Sequence, residues 1–407
     1  MISESWEVKQ LRSENKKEFI KTESCFGKNI KVKIFGGSHE ESVGVTITGL
    51  PQGTTIDMAE LQKFLARRAP GNSPFTTGRK EDDKPVVISG AFTGNTSKLM
   101  EDVVSVSKEP LTVIIKNTDV RSDDYKSTGD IPRPGHADFT ARIKYGEKIN
   151  MSGGGPFSGR MTAPLCVAGG IAMQILRSGG TEIAAHISSV GDIYDDPFEP
   201  ARVTAHELKT FREKNQQLSE FPVINSVAGK KMKDLILTAK NQNDSLGGIV
   251  EICAAGVPAG LGGFMYDGVE STLAPLLFGI PAVKGVEFGT GFASSFLKGS
   301  ENNDAFYVDK GNIYTITNHH GGILGGITSG MPLIIRAAFK PTPSISKEQH
   351  SVNMKTLDPE KIITKGRHDP CIAVRAVPAA EAAVAIGLLD LMSETPGYDM
   401  EGNDGSE

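Results

Sequence analysis

Alternating apolar and polar residues predict most of the strands in this 407-residue chain. In Ile30–Gly37 two apolar side chains alternate with two lysines, and in Ser42–Leu50 Val or Ile recurs at every second position, as on a half-buried strand. The segments SVGVTITGLPQG and GGIVEICAAGVPAG are faintly similar, which hints at a duplicated strand–turn unit. Similar patterns predict six more strands, at Pro85–Gly90, Leu111–Asn117, Glu182–Val190, Gly247–Val257, Val283–Gly289 and Met331–Phe339.

Four segments combine helical periodicity with a helix-start signal. Asp57 is the expected cap of a helix that has one apolar face and ends before Pro70. The other predicted helices are Ala163–Arg177 after Thr162 as cap, Ala205–Gln217 after Thr204 as cap, and Ala379–Met392 with Pro378 in its first turn.

Strands that alternate with helices indicate an α/β or α+β fold. No Ser/Pro-rich linker divides the chain, so we expect a single domain with several long functional loops. Because both ends are polar, the expected organisation is an N-terminal extension at 1–23, the domain at 24–393 and a C-terminal tail at 394–407.

Composition narrows the classes of protein to which the chain can belong. With 38% hydrophobic and 23% charged residues, the balance is that of a globular protein. A net charge of -5 argues against nucleic-acid binding, because no general basic excess is present to neutralise phosphates. Four widely spaced cysteines without a CxxC pair indicate free thiols in a reducing compartment. Without an apolar signal core or a run of about 18 apolar residues, we expect a cytoplasmic protein with no membrane partner.

Charge is concentrated in the segment Gly366–Pro378, ahead of the last predicted helix. So many ionisable groups cannot be buried without partners, and we therefore interpret the segment as a binding loop presented by a helix. Its ionisable or reactive residues are Arg367, His368, Asp369, Cys371 and Arg375.

Two histidines lie in turns that suit proton transfer. His39, between two predicted strands, is placed either to act as a general acid or simply to hold the turn. His136 lies beside Arg133 and Asp138, so it is either a functional group or part of a surface loop held by an Arg–Asp ion pair. No spacing among the histidines and cysteines resembles a metal site, and we expect no metal.

Arginines recur in loops rich in glycine, proline and serine. A guanidinium group pairs well with phosphate and carboxylate, so this pattern in an acidic protein predicts a small polyanionic, phosphorylated ligand. The loop MSGGGPFSGRMTAP opens a predicted helix and offers backbone N–H groups to an anion. The segment AFKPTPSISKEQ supplies Lys340, Thr342 and Ser344 for a phosphate-bearing cofactor.

Taken in order, these segments resemble the chorismate synthases. RPGHADFT, NHHGGILGGITSG, FKPTPSI and GRHDPCIAVRAVP follow one another with the family's spacing, and the resemblance runs from Phe26 to Met392. It implies the family's β-α-β sandwich, an α+β fold, assembled as a homotetramer. It also implies a lyase of aromatic amino acid biosynthesis, which eliminates phosphate from 5-enolpyruvylshikimate 3-phosphate in an anti-1,4 sense to give chorismate. The reaction requires reduced FMN, with NADPH only as a reductant of that FMN.

The resemblance implies roles for individual residues. His39 would be an acid near the reduced flavin, His136 would protonate the departing phosphate, and Asp369 would tune protonation at flavin N5. The implied substrate-binding residues are Arg68, Arg133 and Arg160. The implied flavin contacts are Ser158, Ala282, Gly325, Lys340, Pro341, Thr342, Pro343, Ser344 and Arg367.

Several loops depart from the family's pattern. The usual GESHG is GGSHE here, and Glu40 would strain the turn if that position needs a positive φ. Pro156 and Phe157 stand where arginine and serine are common, and Ala69 and Pro74 also replace arginines. Two alternatives to the lyase therefore stay open: a catalytically weakened flavin- or phospho-ligand-binding member of the family, and an NADPH-dependent flavin reductase.

Overall fold

The computed structural model describes residues 22–71, 73–78, 81–93, 103–118, 130–215, 221–364, 366 and 368–394. Its strands are β1 (Glu23–Phe26), β2 (Lys31–Gly36), β3 (Ser42–Thr48), β4 (Thr55–Asp57), β5 (Pro85–Ser89), β6 (Ala91–Thr93), β7 (Val103–Val106), β8 (Leu111–Lys116), β9 (Glu182–Val190), β10 (Ile193–Tyr194), β11 (Gly248–Ala255), β12 (Val283–Phe288), β13 (Phe306–Asp309), β14 (Asn312–Thr315), β15 (Ile323–Leu324), β16 (Ile327–Thr328), β17 (Leu333–Phe339), β18 (Glu348–Val352) and β19 (Pro359–Ile363). Its helices are α1 (Met58–Arg68), α2 (Asp138–Tyr145), α3 (Thr162–Ser178), α4 (Ala205–Asn215), α5 (Ser226–Asn241), α6 (Val269–Phe278), α7 (Gly299–Asn302) and α8 (Ala373–Met392).

Two antiparallel five-stranded sheets enclose a layer of helices, with strand orders β1-β2-β3-β8-β5 and β10-β9-β11-β17-β12. Apolar residues lie opposite one another across each sheet. In the first, Val45 is paired with Ile34 and Val113, and in the second Ile252 is paired with Ile335. These rows are buried against the helices and form the core.

Helices α3 and α8 form the middle layer and pack against each other. α3 contacts β2, β3 and β8, whereas α8 contacts β9 and β11. A Cβ atom at Gly169 of α3 would lie only 2.1 Å from that of Ala382 in α8, so the missing side chain allows the close approach of the two helices. This layering confirms the predicted α+β sandwich.

The two similar sequence segments occupy matching places. They contain β3 and β11, and each strand is third in the order of its sheet. Each is followed by a turn with two left-handed glycines: Gly49 (φ 89°) and Gly53 (φ 87°) after β3, and Gly256 (φ 75°) and Gly260 (φ 97°) after β11. The sequence similarity therefore corresponds to one strand–turn geometry used in both sheets.

All eight predicted strands are present, with ends within two residues of the expected ones. Asp57 caps α1 as predicted, because its carboxylate accepts from the N–H of Glu60 at 2.8 Å. Thr204 caps α4, since its hydroxyl accepts from the N–H of Glu207 at 3.2 Å and the Glu207 carboxylate accepts from the Thr204 N–H at 2.8 Å. The predicted end of this helix at Gln217 lies outside the described residues. None of the helices in the described ranges has both the length and the apolar character of a membrane span.

Two predicted helix starts are wrong. Thr162 is the first residue of α3 and does not cap it. Its hydroxyl instead donates to the carbonyl of Gly159 at 2.7 Å and accepts from Nε of Arg68 at 2.9 Å. Pro378 lies well inside α8 instead of in its first turn, since the helix begins at Ala373. Helices α2, α5, α6 and the short α7 were not predicted, although Asn225 caps α5 by accepting from the N–H of Val227 at 2.9 Å.

Candidate active site

A cavity of about 460 Å³ is lined by the residues that precede α3, the first turn of α8, the end of α6 and the adjoining ends of β12 and β17. Helix N-termini carry partial positive charge, so the starts of α3 and α8 favour an anion in this space. The cavity brings together eleven predicted site residues: Arg68, Arg133, His136, Ser158, Arg160, Ala282, Lys340, Thr342, Pro343, Ser344 and Asp369.

The glycine turn ahead of α3 separates the two candidate histidines. Gly153, Gly154 and Gly155 all have positive φ, at 61°, 93° and 52°. A Cβ at Gly153 would lie 2.0 Å from Cε1 of His39, and a Cβ at Gly154 would lie 3.2 Å from Nε2 of His136. Glycine is thus required here both for backbone conformation and for the close contact with each imidazole.

His39 contacts the cavity wall through Gly153 and does not itself line the cavity. Its Nδ1 lies 3.0 Å from Oγ of Ser38, and that hydroxyl also lies 3.1 Å from the carbonyl oxygens of Ser152 and Gly153. The Ser38 hydroxyl therefore connects the His39 ring to the backbone of the glycine turn.

The altered turn around His39 is not strained at the position the sequence suggested. Its left-handed residue is Gly36, with φ 98°, and Glu40 has no positive φ. The condition under which Glu40 would strain the turn is therefore not met. A Cβ at Gly37 would lie 3.0 Å from Oε1 of Glu40, so the carboxylate of Glu40 fills the space beside position 37, where the family has its glutamate.

His136 is held by an ionic chain on the cavity wall. Its Nδ1 lies 2.8 Å from Oδ1 of Asp138, and Asp138 also accepts from Nε and Nη2 of Arg133 at 2.7 and 2.8 Å. Burial opposes ionisation of Asp138, but the hydrogen bonds from Arg133 and His136 hold its pKa well below the usual range. Nδ1 also lies 3.1 Å from Nη2 of Arg133, so this nitrogen faces both members of the ion pair and Nε2 is left for a ligand. The Arg–Asp pair expected of a surface loop is present, yet it supports a histidine that is only 13% exposed.

Arg68 and Arg160 form a buried network around Asp83. Arg68 donates from Nη1 to Asp83 at 2.7 Å and from Nη2 to the carbonyl of Gly159 at 2.8 Å. Arg160 donates from Nη1 to the other Asp83 oxygen and lies 2.7 Å from a carboxylate oxygen of Glu81. Burial raises the pKa of Asp83, but the two guanidinium groups outweigh this effect and lower it below the ordinary value. A ligand anion would have to compete with these carboxylates for both arginines.

Asp369 also lines the cavity and is fixed by two hydrogen bonds. It accepts from the backbone N–H of Thr77 at 2.8 Å and from Nη1 of Arg375 at 2.8 Å. Arg375 also donates from Nε to the carbonyl of Arg68 at 3.0 Å. The charged segment identified from the sequence therefore joins the start of α8 to the end of α1.

The structure places some of the implied flavin contacts in the cavity wall and others away from it. Ala282 has a positive φ of 80°, which is unusual for a residue with a side chain and is found where function constrains the backbone. Among the described residues no partner is present for the buried hydroxyl of Thr342. Pro341 is adjacent to the cavity without lining it, and Gly325 lies in the exposed β15–β16 turn. Arg367 lies outside the described residues.

Comparison with known proteins agrees with this arrangement. The family model for chorismate synthase matches residues 30–393. A chorismate synthase of Lancefieldella parvula is 45% identical over 385 residues, covering 92% of this chain and 98% of the relative. The chain belongs to the chorismate synthase family. Those of Methanobrevibacter smithii and Korarchaeum cryptofilum are 42% and 40% identical, covering 91% and 90% of the chain and 96% of each relative.

A solved chorismate synthase structure has the same fold, with a TM-score of 0.69 at 24% identity over 91% of this chain and 94% of that one. Membership in the chorismate synthase family makes the chain a lyase of aromatic biosynthesis. Two charged residues were not selected from the sequence: Lys284, which lines the cavity, and Asp83, which is buried and pairs with the lining residues Arg68 and Arg160. Asp83 follows a polar loop and Lys284 lies in a strand, so neither carried a local motif.

Proposed function

We propose that this member of the chorismate synthase family eliminates phosphate from 5-enolpyruvylshikimate 3-phosphate in an anti-1,4 sense to give chorismate, with reduced FMN bound in the cavity. The observation that carries the proposal is the Arg133–Asp138–His136 chain. Because Asp138 holds Nδ1, protonated His136 is oriented to donate its Nε2 proton to an oxygen of the departing phosphate.

The residues of the cavity fit FMN. The partnerless hydroxyl of Thr342 and the strained backbone of Ala282 are features that a bound ligand would explain. Lys340 and Ser344 lie at the two ends of the segment that contains Thr342, and both offer polar groups to a phosphate tail. When bound, reduced FMN would supply electron density for the C–O cleavage and a basic N5 for the substrate C6 proton.

The two remaining candidate groups have distinct tasks in this proposal. Asp369 is held by Thr77 and Arg375, so its carboxylate stays at the cavity wall as an acceptor that tunes protonation at flavin N5. His39 acts as the acid near the flavin, and direct contact requires the Gly153 turn to move aside because the imidazole lies against it.

We also propose that the chain forms a homotetramer in the cytoplasm, with small-molecule ligands only. Phe264, Met265 and Tyr266 are exposed by 79%, 73% and 85%, which is the kind of apolar surface that subunit interfaces cover. The neighbouring β15–β16 hairpin carries Gly325, which would then contact a flavin only across an interface. The four free cysteines support a reducing compartment.

The test is phosphate release from the substrate without oxygen, with FMN reduced either by dithionite or by NADPH. We expect His136→Ala and Asp369→Ala each to lower turnover by about 10²- to 10⁴-fold, the contribution of general acid–base groups, without unfolding the protein. Full activity in both variants would refute the assignment of roles. NADPH-supported turnover would make the chain its own flavin reductase, and dithionite-only turnover would not.

A second candidate is a member that binds flavin and phosphorylated ligands with weakened turnover. The observation that favours it is the pairing of Arg68 and Arg160 with Asp83, which leaves fewer donors for substrate. Flavin binding without phosphate release under reducing conditions would select this candidate.

A further inference from the structure

The lysines of the cavity differ from its arginines in their partners. Every arginine that lines the described cavity forms an ion pair: Arg68 and Arg160 with Asp83, Arg133 with Asp138, and Arg375 with Asp369. Lys284 and Lys340 line the same cavity, and within the described part of the chain neither has a carboxylate partner. The uncompensated positive charge of the site therefore lies on these two lysines.

The fold brings the two lysines to one wall. Lys340 directly follows β17, and its backbone N–H donates to the carbonyl of Ala282 at 3.0 Å. Lys284 lies in β12 where the pairing with β17 shifts register between Val283 and Gly285. Such a bulge re-aims a side chain and is common next to functional sites.

The two charges destabilise each other in this position. Burial lowers the pKa of Lys340 below its ordinary value, and the positive charge of Lys284 lowers it further. The Nζ atom of Lys340 also donates to the carbonyl of Gly135, a neutral acceptor that cannot balance the charge. A doubly charged anion between the two ammonium groups would offset both the desolvation and the repulsion.

We propose that Lys284 forms a phosphate-binding subsite with Lys340, which takes the phosphate monoester of the flavin cofactor or of the substrate. The inference rests on the proposed function, because both ligands were inferred there. The buried hydroxyl of Thr342, on the same cavity wall, supplies a further donor to such a group.

The test compares FMN with riboflavin, which lacks the phosphate. Both are titrated into wild type, Lys284→Gln, Lys284→Arg and the control Lys231→Gln, which removes one exposed lysine from α5. We expect Lys284→Gln to weaken FMN binding about ten- to hundredfold, as for loss of a charge-assisted hydrogen bond, with riboflavin binding unchanged. Lys284→Arg should regain most of the loss, and the control should match wild type.

The remaining outcomes separate the ligand sources. If FMN binding is unchanged but KM for the phosphorylated substrate rises in Lys284→Gln by a similar factor at saturating FMN, the subsite is the substrate's, and phosphate recognition still holds. Unchanged FMN and substrate binding, or equal weakening of FMN and riboflavin, would overturn the inference. If wild type binds no FMN and releases no phosphate, both the inference and the proposed function fail. If wild type does both and only the Lys284 effect is missing, the proposed function survives.

Discussion

Substituting alanine for Gly153 should displace His39 and stop turnover while the fold persists. Gly153 has φ 61°, and an alanine there has its Cβ 2.0 Å from Cε1 of His39 and 2.7 Å from Oγ of Ser38. Real Cβ atoms are essentially never closer than 3.0 Å to such a neighbour, so the imidazole must move by about 1 Å or more. The left-handed conformation alone costs an alanine roughly 1–2 kcal/mol of stability.

The matched control is Gly311→Ala, in the β13–β14 turn. Gly311 has φ 83° and nothing within 4 Å of an added Cβ, so the control also places an alanine at positive φ but without the clash. We expect both variants to lose roughly 1–2 kcal/mol in chemical denaturation, and only Gly153→Ala to lose about 10²-fold or more in anaerobic phosphate release. Equal activity of the two variants would refute the reasoning that His39 must lie against a bare glycine.

Three further predictions concern charged side chains. Asp138→Asn should lower turnover about ten- to hundredfold by removing the charged partner of His136, and the variant should stay folded at the assay temperature although the buried Arg133 loses its ion pair; full activity would exclude the positioning role. Asp390→Ala should cost about 3 kcal/mol in the free energy of unfolding, because its carboxylate accepts three backbone N–H groups of the β1–β2 turn, while turnover at 25 °C stays intact. Burial would lower the pKa of His186, but the hydrogen bonds that its ring donates to the carboxylates of Asp195 and Glu251 raise it above its ordinary value. Protonated His186 therefore stabilises the fold fully below the unfolded-state pKa of about 6.5, and this stabilisation is lost as pH rises through the folded-state pKa. Unfolding curves from pH 6 to 9 should show this decline in wild type and not in His186→Gln.

The strands were predictable because each sheet is buried on its helix-facing side. Alternation in β3 indicates its buried face, the apolar run in β11 fits a strand that is buried on both faces, and the glycines that follow mark the turns. The helix starts were less predictable. Thr162 has the residue type of a cap but bonds to Arg68, a partner 94 residues away that only the folded chain supplies.

The loops that form the site could be predicted from the sequence, but most of the contacts between their charged side chains could not. The motif around His136 contains Arg133 and Asp138 within five residues, so their ion pair could be predicted from the local sequence. Asp83 lies 77 residues from Arg160 in sequence, and Lys284 and Lys340 reach one cavity only through the pairing of β12 with β17, so their roles depend on tertiary contacts. His39 was placed beside the flavin by resemblance, whereas the structure puts Gly153 between its ring and the cavity.

The central claim is that the cavity performs a phosphate elimination that depends on reduced flavin. The direct measurement is phosphate and chorismate formed from 5-enolpyruvylshikimate 3-phosphate by the purified chain without oxygen, with FMN either oxidised or reduced by dithionite. We predict equal amounts of both products with reduced FMN, none with oxidised FMN, and a large loss of rate in His136→Ala. Tight flavin binding without phosphate release, or a rate that does not depend on the reduction of FMN, would contradict the account.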